Sequence, residues 1–253
     1  MQYAVGMTPR RAAFLFAFGA LAIGRLPADT TAGATSTQPV QTTHTEDVNF
    51  APGGTIHLNN PSGNMSVEGW DQPKIEITVV KSMGYDAEPA PRASAGLDSV
   101  KVVTERRSDT DVSISTTRAR IHNRFTHALG FGRDATVDYV IRVPRNSHLI
   151  VDHADGYVSV TGVTGNIEAN DRRGDIVLML PDLAAYSIDA HTKVGVVTAD
   201  LAGSTHMKHL TGEDFSHGDA ALTHKLSLRM GFGGITIKEL PAEALDPVVT
   251  AAK

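Results

Sequence analysis

The chain has 253 residues, 20% of them charged, a formal net charge of −5 and no cysteine. The missing thiols exclude disulfides, thiolate zinc sites and a lipid-attachment cysteine, and the acidic balance argues against a nucleic-acid partner, which needs a basic face. The length suits one domain around one continuous core.

In chain order, Arg10 and Arg11 precede an apolar stretch from Ala12 to Ile23, and Thr31-Ala-Gly-Ala34 then offers a small-residue cleavage site. This is the layout of a secretory signal peptide. The stretch is twelve residues long, well short of the roughly 20 that span a bilayer, so membrane contact is expected only through a transient export leader. Without residues 1–34, three arginines and one aspartate are lost, leaving 20 basic against 27 acidic residues. The Thr-, Ala-, Ser- and Gln-rich segment that follows reads as a disordered tether. The expected organisation is a signal peptide over 1–34, a tether over 35–45, a β-repeat domain over 46–241 and a tail over 242–253.

Within the repeat domain the first glycine-led segment is Gly63-Asn-Met-Ser-Val67. Alternating stretches follow at Lys74–Val80, Ser99–Thr104, Asp111–Ser115 and Thr136–Val143, the last closed by Pro144, which cannot donate to a ladder. The segments between them, 83–97 and 118–134, lack alternation and read as projecting loops. The pattern then becomes regular: segments start at Gly156, Gly165 and Gly174, nine residues apart, and return at Gly195 and Gly234. Alternation places Val158 and Val160 on one face, as it does Ile167 with Ala169, and Ile176 with Leu178 and Leu180. Glycine at each start suits a turn needing positive φ. Two architectures accept this spacing, a β-solenoid of stacked short strands resembling a right-handed β-helix, and an antiparallel β-sandwich. The solenoid is preferred because the segments resemble one another in sequence as well as length.

Candidate chemistry is sparse. Asp152, Asp155, Asp171 and Asp175 sit near repeat boundaries. In a stack they could line up along one edge and supply the acid and the base or nucleophile that a glycoside-cleaving enzyme needs at a defined separation, although aspartate beside glycine is also ordinary turn chemistry. His206 and His209 lie three apart, on opposite faces of a strand, which disfavours chelation; His217 near Asp219 and His153 near Asp152 and Asp155 read as solvated turn residues. No metal, cofactor or catalytic residue is therefore expected. The segments Gly130-Phe131-Gly132 and Gly231-Phe232-Gly233 mark Phe131 and Phe232 as the candidate ligand contacts on loops. Covering an open end of the stack is the competing and favoured role for both rings. Trp70, the single tryptophan, is expected to pack beside Pro73 with Asp71 and Gln72 in a turn.

Phe50-Ala-Pro-Gly-Gly54, the strand from Gly63 to Gly69-Trp70-Asp71, the ending Val143-Pro144 and the glycine-led repeats from Gly156 onward together resemble a bacterial putative-adhesin domain family of unknown function, often called the DUF4097 class. The resemblance spans roughly residues 46–240. It implies an exported, repeat-built, all-β protein of the cell envelope and brings no catalytic residues. The expected function is a non-enzymatic, adhesin-like binding or scaffold role in the periplasm, at the cell surface or as a secreted protein, with an envelope or extracellular protein or glycan as partner. The alternatives are an envelope carbohydrate-active enzyme using the four aspartates and an accessory protein of an envelope-stress response.

Overall fold

The computed structural model describes residues 41–83, 97–98, 100–118, 135–208, 211–219 and 221–241. They form an all-β structure whose mixed sheet does not close. The expected loops over 83–97 and 118–134, and the leader and tail, fall almost entirely outside the described residues.

The strands make two ladders. One runs β1 (Gln41–Asn49), β4 (Lys74–Ser82), β7 (Thr136–Pro144), β3 (Met65–Trp70), β9 (Gly156–Thr161), the second half of β10 (Ile167–Leu180), β16 (Ile235–Glu239) and β12 (Val197–Ala199). The other runs β5 (Val100–Ser108), β6 (Asp111–Arg118), β2 (Thr55–Asn60), β8 (His148–His153), the first half of β10, β15 (His224–Phe232), β11 (Tyr186–Val194), β14 (Gly212–His217) and β13 (Ser204–Lys208). The 14-residue β10 belongs to both, pairing with β8 and β15 before Gly174 and with β9 and β16 after it.

Six times the described chain passes from the second ladder to the first: β2 to β3, β6 to β7, β8 to β9, along β10, β11 to β12 and β15 to β16. These passes lie parallel to one another, with antiparallel strands only at the flanks: β1, β4 and β5 beyond one end, β13 and β14 beyond the other. Their order in space is not their order in the chain. The β6–β7 pass lies outside the earlier β2–β3 pass, and the β15–β16 pass is inserted between β10 and the earlier β11–β12 pass.

The nine-residue spacing is thus half a pass. Segment 156–161 lies in one ladder, 167–173 in the other and 174–180 back in the first, so Gly174 registers with Gly156, eighteen residues earlier, while Gly165 packs on Ser147. The faces read from alternation are the buried ones: Leu58, Val151, Ala169, Leu228 and Ala190 register into one column, and Val67, Val160, Leu178 and Ile237 into another. A one-residue slip would turn every member of such a column outward.

Five of the passes turn at a column of glycines, Gly63, Gly156, Gly174, Gly233 and Gly195, with φ between 115° and 141°, and the connection from β6 to β7 lies outside the described residues. A Cβ on Gly174 would lie 1.6 Å from the Gly156 carbonyl oxygen, and one on Gly233 1.6 Å from that of Gly174. Gly165 and Gly234, expected to share this role, are not at positive φ; Gly233 takes the place of Gly234. A second correction concerns the tether expected over 35–45: β1 already begins at Gln41 and pairs with Ser82. Its threonines favour extended backbone, and it is polar because it is an edge strand with only Val48 buried.

Gly174→Ala should cost more than about 3 kcal/mol, combining a positive-φ penalty with a backbone clash, whereas Gly53→Ala, at φ 83° with its nearest neighbour 3.8 Å away, should cost only about 1–2 kcal/mol. Urea denaturation of both variants measures the difference, and equal losses would contradict the column. Burial pushes the phenols of Tyr139 and Tyr186 above their ordinary value of 10. A folded-state value above the unfolded one gives stabilisation that is complete below about pH 10 and lost as pH rises past it. Alkaline titration at 295 nm should therefore show these two tyrosines ionising together with unfolding.

Candidate functional site

Three residues before each corner glycine the column of inward side chains changes character. Asn60 registers with His153, His153 with Asp171, Asp171 with Met230 and Met230 with Thr192; Thr116 occupies the next position outward, since Asn59 registers with Ser115. Five of these six are polar, yet all are buried. Their polar atoms are bonded mainly to the fold itself. Asn60 Nδ2 donates to the Val137 carbonyl at 2.9 Å, the hydroxyls of Thr116 and Tyr139 lie 2.6 Å apart, and Thr192 Oγ1 donates to the Gly195 carbonyl at 3.0 Å while accepting from Glu213 N at 2.9 Å.

His153 and Asp171 form the only acid–base contact with both side chains fully buried among the described residues, Nδ1 to Oδ1 at 3.1 Å. The contact is close but not aligned as a hydrogen bond. His153 Nε2 lies 2.7 Å from the Gly63 carbonyl, which can only accept, so this nitrogen carries hydrogen. Asp171 Oδ1 also accepts from Arg173 N at 3.2 Å. His153 is thus an interior residue and not the solvated turn histidine expected from its neighbours.

The four aspartates do not form one row. Asp171 faces inward and the other three are exposed. Asp152 registers with Asn170, Asp155 lies 3.9 Å from Arg173, and Asp175 Oδ1 accepts from Gly234 N at 2.7 Å. Each therefore has its own neighbour within the stack. His217 Nδ1 lies 2.7 Å from the Ala202 carbonyl and His206 is exposed on β13, while His209 lies outside the described residues. No group of three or more His, Cys, Asp or Glu placed to hold a metal ion occurs among the described residues.

Phe131 also lies outside the described residues. Phe232 does not cover an end of the stack: it closes β15, an inserted strand paired on both sides, with Arg173 and Val194 as its register partners. Phe232 is 54% exposed, and Val194 and Val196, flanking the neighbouring corner Gly195, are 40% and 62% exposed. The glycine corner thus exposes three apolar side chains, Phe232 and Val194 in register and Val196 one residue past Gly195. Sequence reading selected Phe232 but missed the valines, because the insertion of β15 beside β11 is what brings them together. Trp70 ends β3 opposite Pro144, half-buried, and its Nε1 donates to the Lys74 carbonyl at 2.9 Å; residues 71–73 form the expected bend.

Removing one partner of the buried pair leaves the other uncompensated, so Asp171→Ala and His153→Ala should each cost about 3–5 kcal/mol. The double variant should lose less than the sum of the two, and a double-mutant cycle by denaturant unfolding measures that coupling. Additive losses would mean that the two residues do not act as a pair.

No sequence profile of a known protein family and no curated protein matches the chain. Among solved structures it is similar to a putative cell adhesion protein of Clostridium sporogenes, at 13% identity and a TM-score of 0.44, over 80% of this chain and 100% of that one. It is also similar to a putative adhesin of Bacteroides fragilis, at 11% identity and 0.23 over 78% and 97%, and to a putative lipid binding protein of Parabacteroides distasonis, at 8% identity and 0.23 over 77% and 96%.

Proposed function

We propose that the chain is an exported, non-enzymatic binding protein of the cell envelope, adhesin-like in role, built as a single-domain β-solenoid that presents its outer surface to an envelope or extracellular partner. Parallel, in-register pairing throughout the six passes supports the solenoid over the antiparallel sandwich. The basic start and short apolar stretch of residues 10–23 support export to the periplasm, the cell surface or the medium.

The observation that carries the binding role is the exposed apolar group of Phe232, Val194 and Val196 at the glycine corner, with Phe232 and Val194 in register on the paired strands β15 and β11. Aromatic anchors on such surfaces supply most of the energy of an interface. Against the carbohydrate-active enzyme stands the sealing of Asp171, which removes one carboxylate from the proposed set, together with the separate partners of Asp155 and Asp175 within the stack.

Two measurements test this. The full chain, expressed with its leader in a bacterial host, should be recovered outside the cytoplasm with an N-terminus near residue 35 by mass spectrometry. The purified, fluorescently labelled exported form should bind washed cell envelopes saturably. Phe232→Ser should weaken that binding by about 30-fold, the loss of a hot-spot anchor, with stability changed by no more than about 0.5 kcal/mol. Cytoplasmic retention, or envelope binding indifferent to Phe232, would overturn the reading.

A further inference from the structure

Away from the glycine corner, at the opposite ends of β3 and β7, three turns meet: 50–54 before β2, 71–73 after β3, and 145–147 after β7. They enclose a groove of about 290 Å³, near the lower limit of sites that enclose small organic ligands, about 300–1,000 Å³. Its apolar surface comes from Trp70 with Pro52, Pro73 and Pro144. Proline fixes its own φ, so three of the four apolar groups stand on backbone with little freedom to lose.

Trp70 is held in place rather than loosely packed. Its Nε1 is bonded to the Lys74 carbonyl, and Lys74 Nζ and the Arg142 guanidinium lie 5.4 and 5.9 Å from its ring. Both cations are neutralised, Lys74 by Asp47 at 2.9 Å and Arg142 by Glu76 at 2.9 Å and Glu68 at 3.3 Å.

The polar groups of the groove are planar, and their charges cancel. Arg145 Nε donates to Asp71 Oδ1 at 2.8 Å and its Nη1 to the Gly162 carbonyl at 3.4 Å. Asn146 Oδ1 accepts from Gly53 N at 3.0 Å, which fixes the amide and leaves its NH2 to donate. Asp71 keeps a second oxygen to accept, and Gln72 offers both a donor and an acceptor. A flat aromatic wall beside planar side chains that donate and accept, with no net charge, matches a pyranose ring: an apolar C–H face on the indole and hydroxyls at the amide and carboxylate edges.

Other ligand chemistries fit less well. An anion would meet Asp71 beside Arg145, and a cation would meet Arg145 beside Asp71. Strand addition by a peptide needs an open edge, whereas β3 is paired on both sides, with β7 and β9.

We infer that the Trp70 groove is a binding site for one or two rings of a neutral saccharide, distinct from the Phe232 strip. Trp70 is the chain's only tryptophan, so its fluorescence reports on this groove alone. The full exported chain is titrated with glucose, N-acetylglucosamine, galactose, mannose and cellobiose, and with inorganic phosphate and a proline-rich peptide as contrasts. The expected result is a saturable change in emission with at least one neutral sugar, with a dissociation constant of about 0.1–1 mM. Gln72→Ala, which breaks no hydrogen bond of the fold among the described residues, should weaken it at least threefold at an unchanged melting temperature. Phe232→Ser should leave it unaltered, so failure of envelope binding and failure of sugar binding are distinguishable. No saturable response to any of the sugars, a response only to phosphate or the peptide, or indifference to Gln72→Ala would overturn the assignment.

Discussion

Backbone meeting backbone at the glycine corner is the constraint on which the rest of the structure depends. Between Gly156 and Gly174, and between Gly174 and Gly233, no side chain of any size fits, so adjacent passes stay at sheet spacing as they turn from one ladder to the other. A single bulky corner would open the stack on both faces. Because the corners coincide, every position counted from them coincides as well. Three residues earlier falls the buried polar line, and one residue earlier falls the exposed surface that runs from Asp155 and Arg173 to Phe232 and Val194. Core, polar line and outer strip are three readings of one register.

The register also explains why one line of interior positions is polar without being reactive. At the corner the carbonyls of Gly63, Val137 and Gly195 and the amide of Glu213 turn towards the interior, and Asn60, His153 and Thr192 meet them. An apolar residue there would leave those backbone groups unbonded, at about 1–3 kcal/mol each. The His153–Asp171 pair belongs to this lining. Its chemistry is spent on holding two neighbouring passes together, which directs attention for binding to the outer strip and the Trp70 groove.

The sequence showed clearly what is periodic and local. The alternation of Val158 with Val160 and of Ile176 with Leu178 predicted their burial, and glycine at 63, 156, 174 and 195 marked the corners. It did not show which segments become neighbours. Ser227 and Asp189 carry no signal that β15 slots in beside β11, since identical corner chemistry makes each pass a suitable neighbour for any other. β1, β13 and β14 escaped notice because flanking strands with wet faces lack an apolar period, and β2, β8, β11 and β15 because they lead up to a corner glycine where the reading followed the segments that start from one. Trp70 and Pro73 were visible, but the groove needs Pro52, Pro144 and Asn146, which only the stacking of β3 on β7 brings to them. The inserted order has a kinetic corollary: β11 acquires its inner neighbour only when the far end of the domain arrives, and such long-range pairing slows folding.

The chain's lack of cysteine allows the inserted order to be tested by paired cysteines on the outer face. Ser227 registers with Glu168 on one side and Asp189 on the other. Adjacent strands lie about 4.8 Å apart, within disulfide reach, whereas two spacings exceed the roughly 7 Å beyond which none forms. Mild oxidation should therefore link Glu168→Cys with Ser227→Cys, and Asp189→Cys with Ser227→Cys, but leave Glu168→Cys with Asp189→Cys reduced. Efficient closure of that last pair, with failure of the first two, would mean that the passes stack in chain order and would contradict the account.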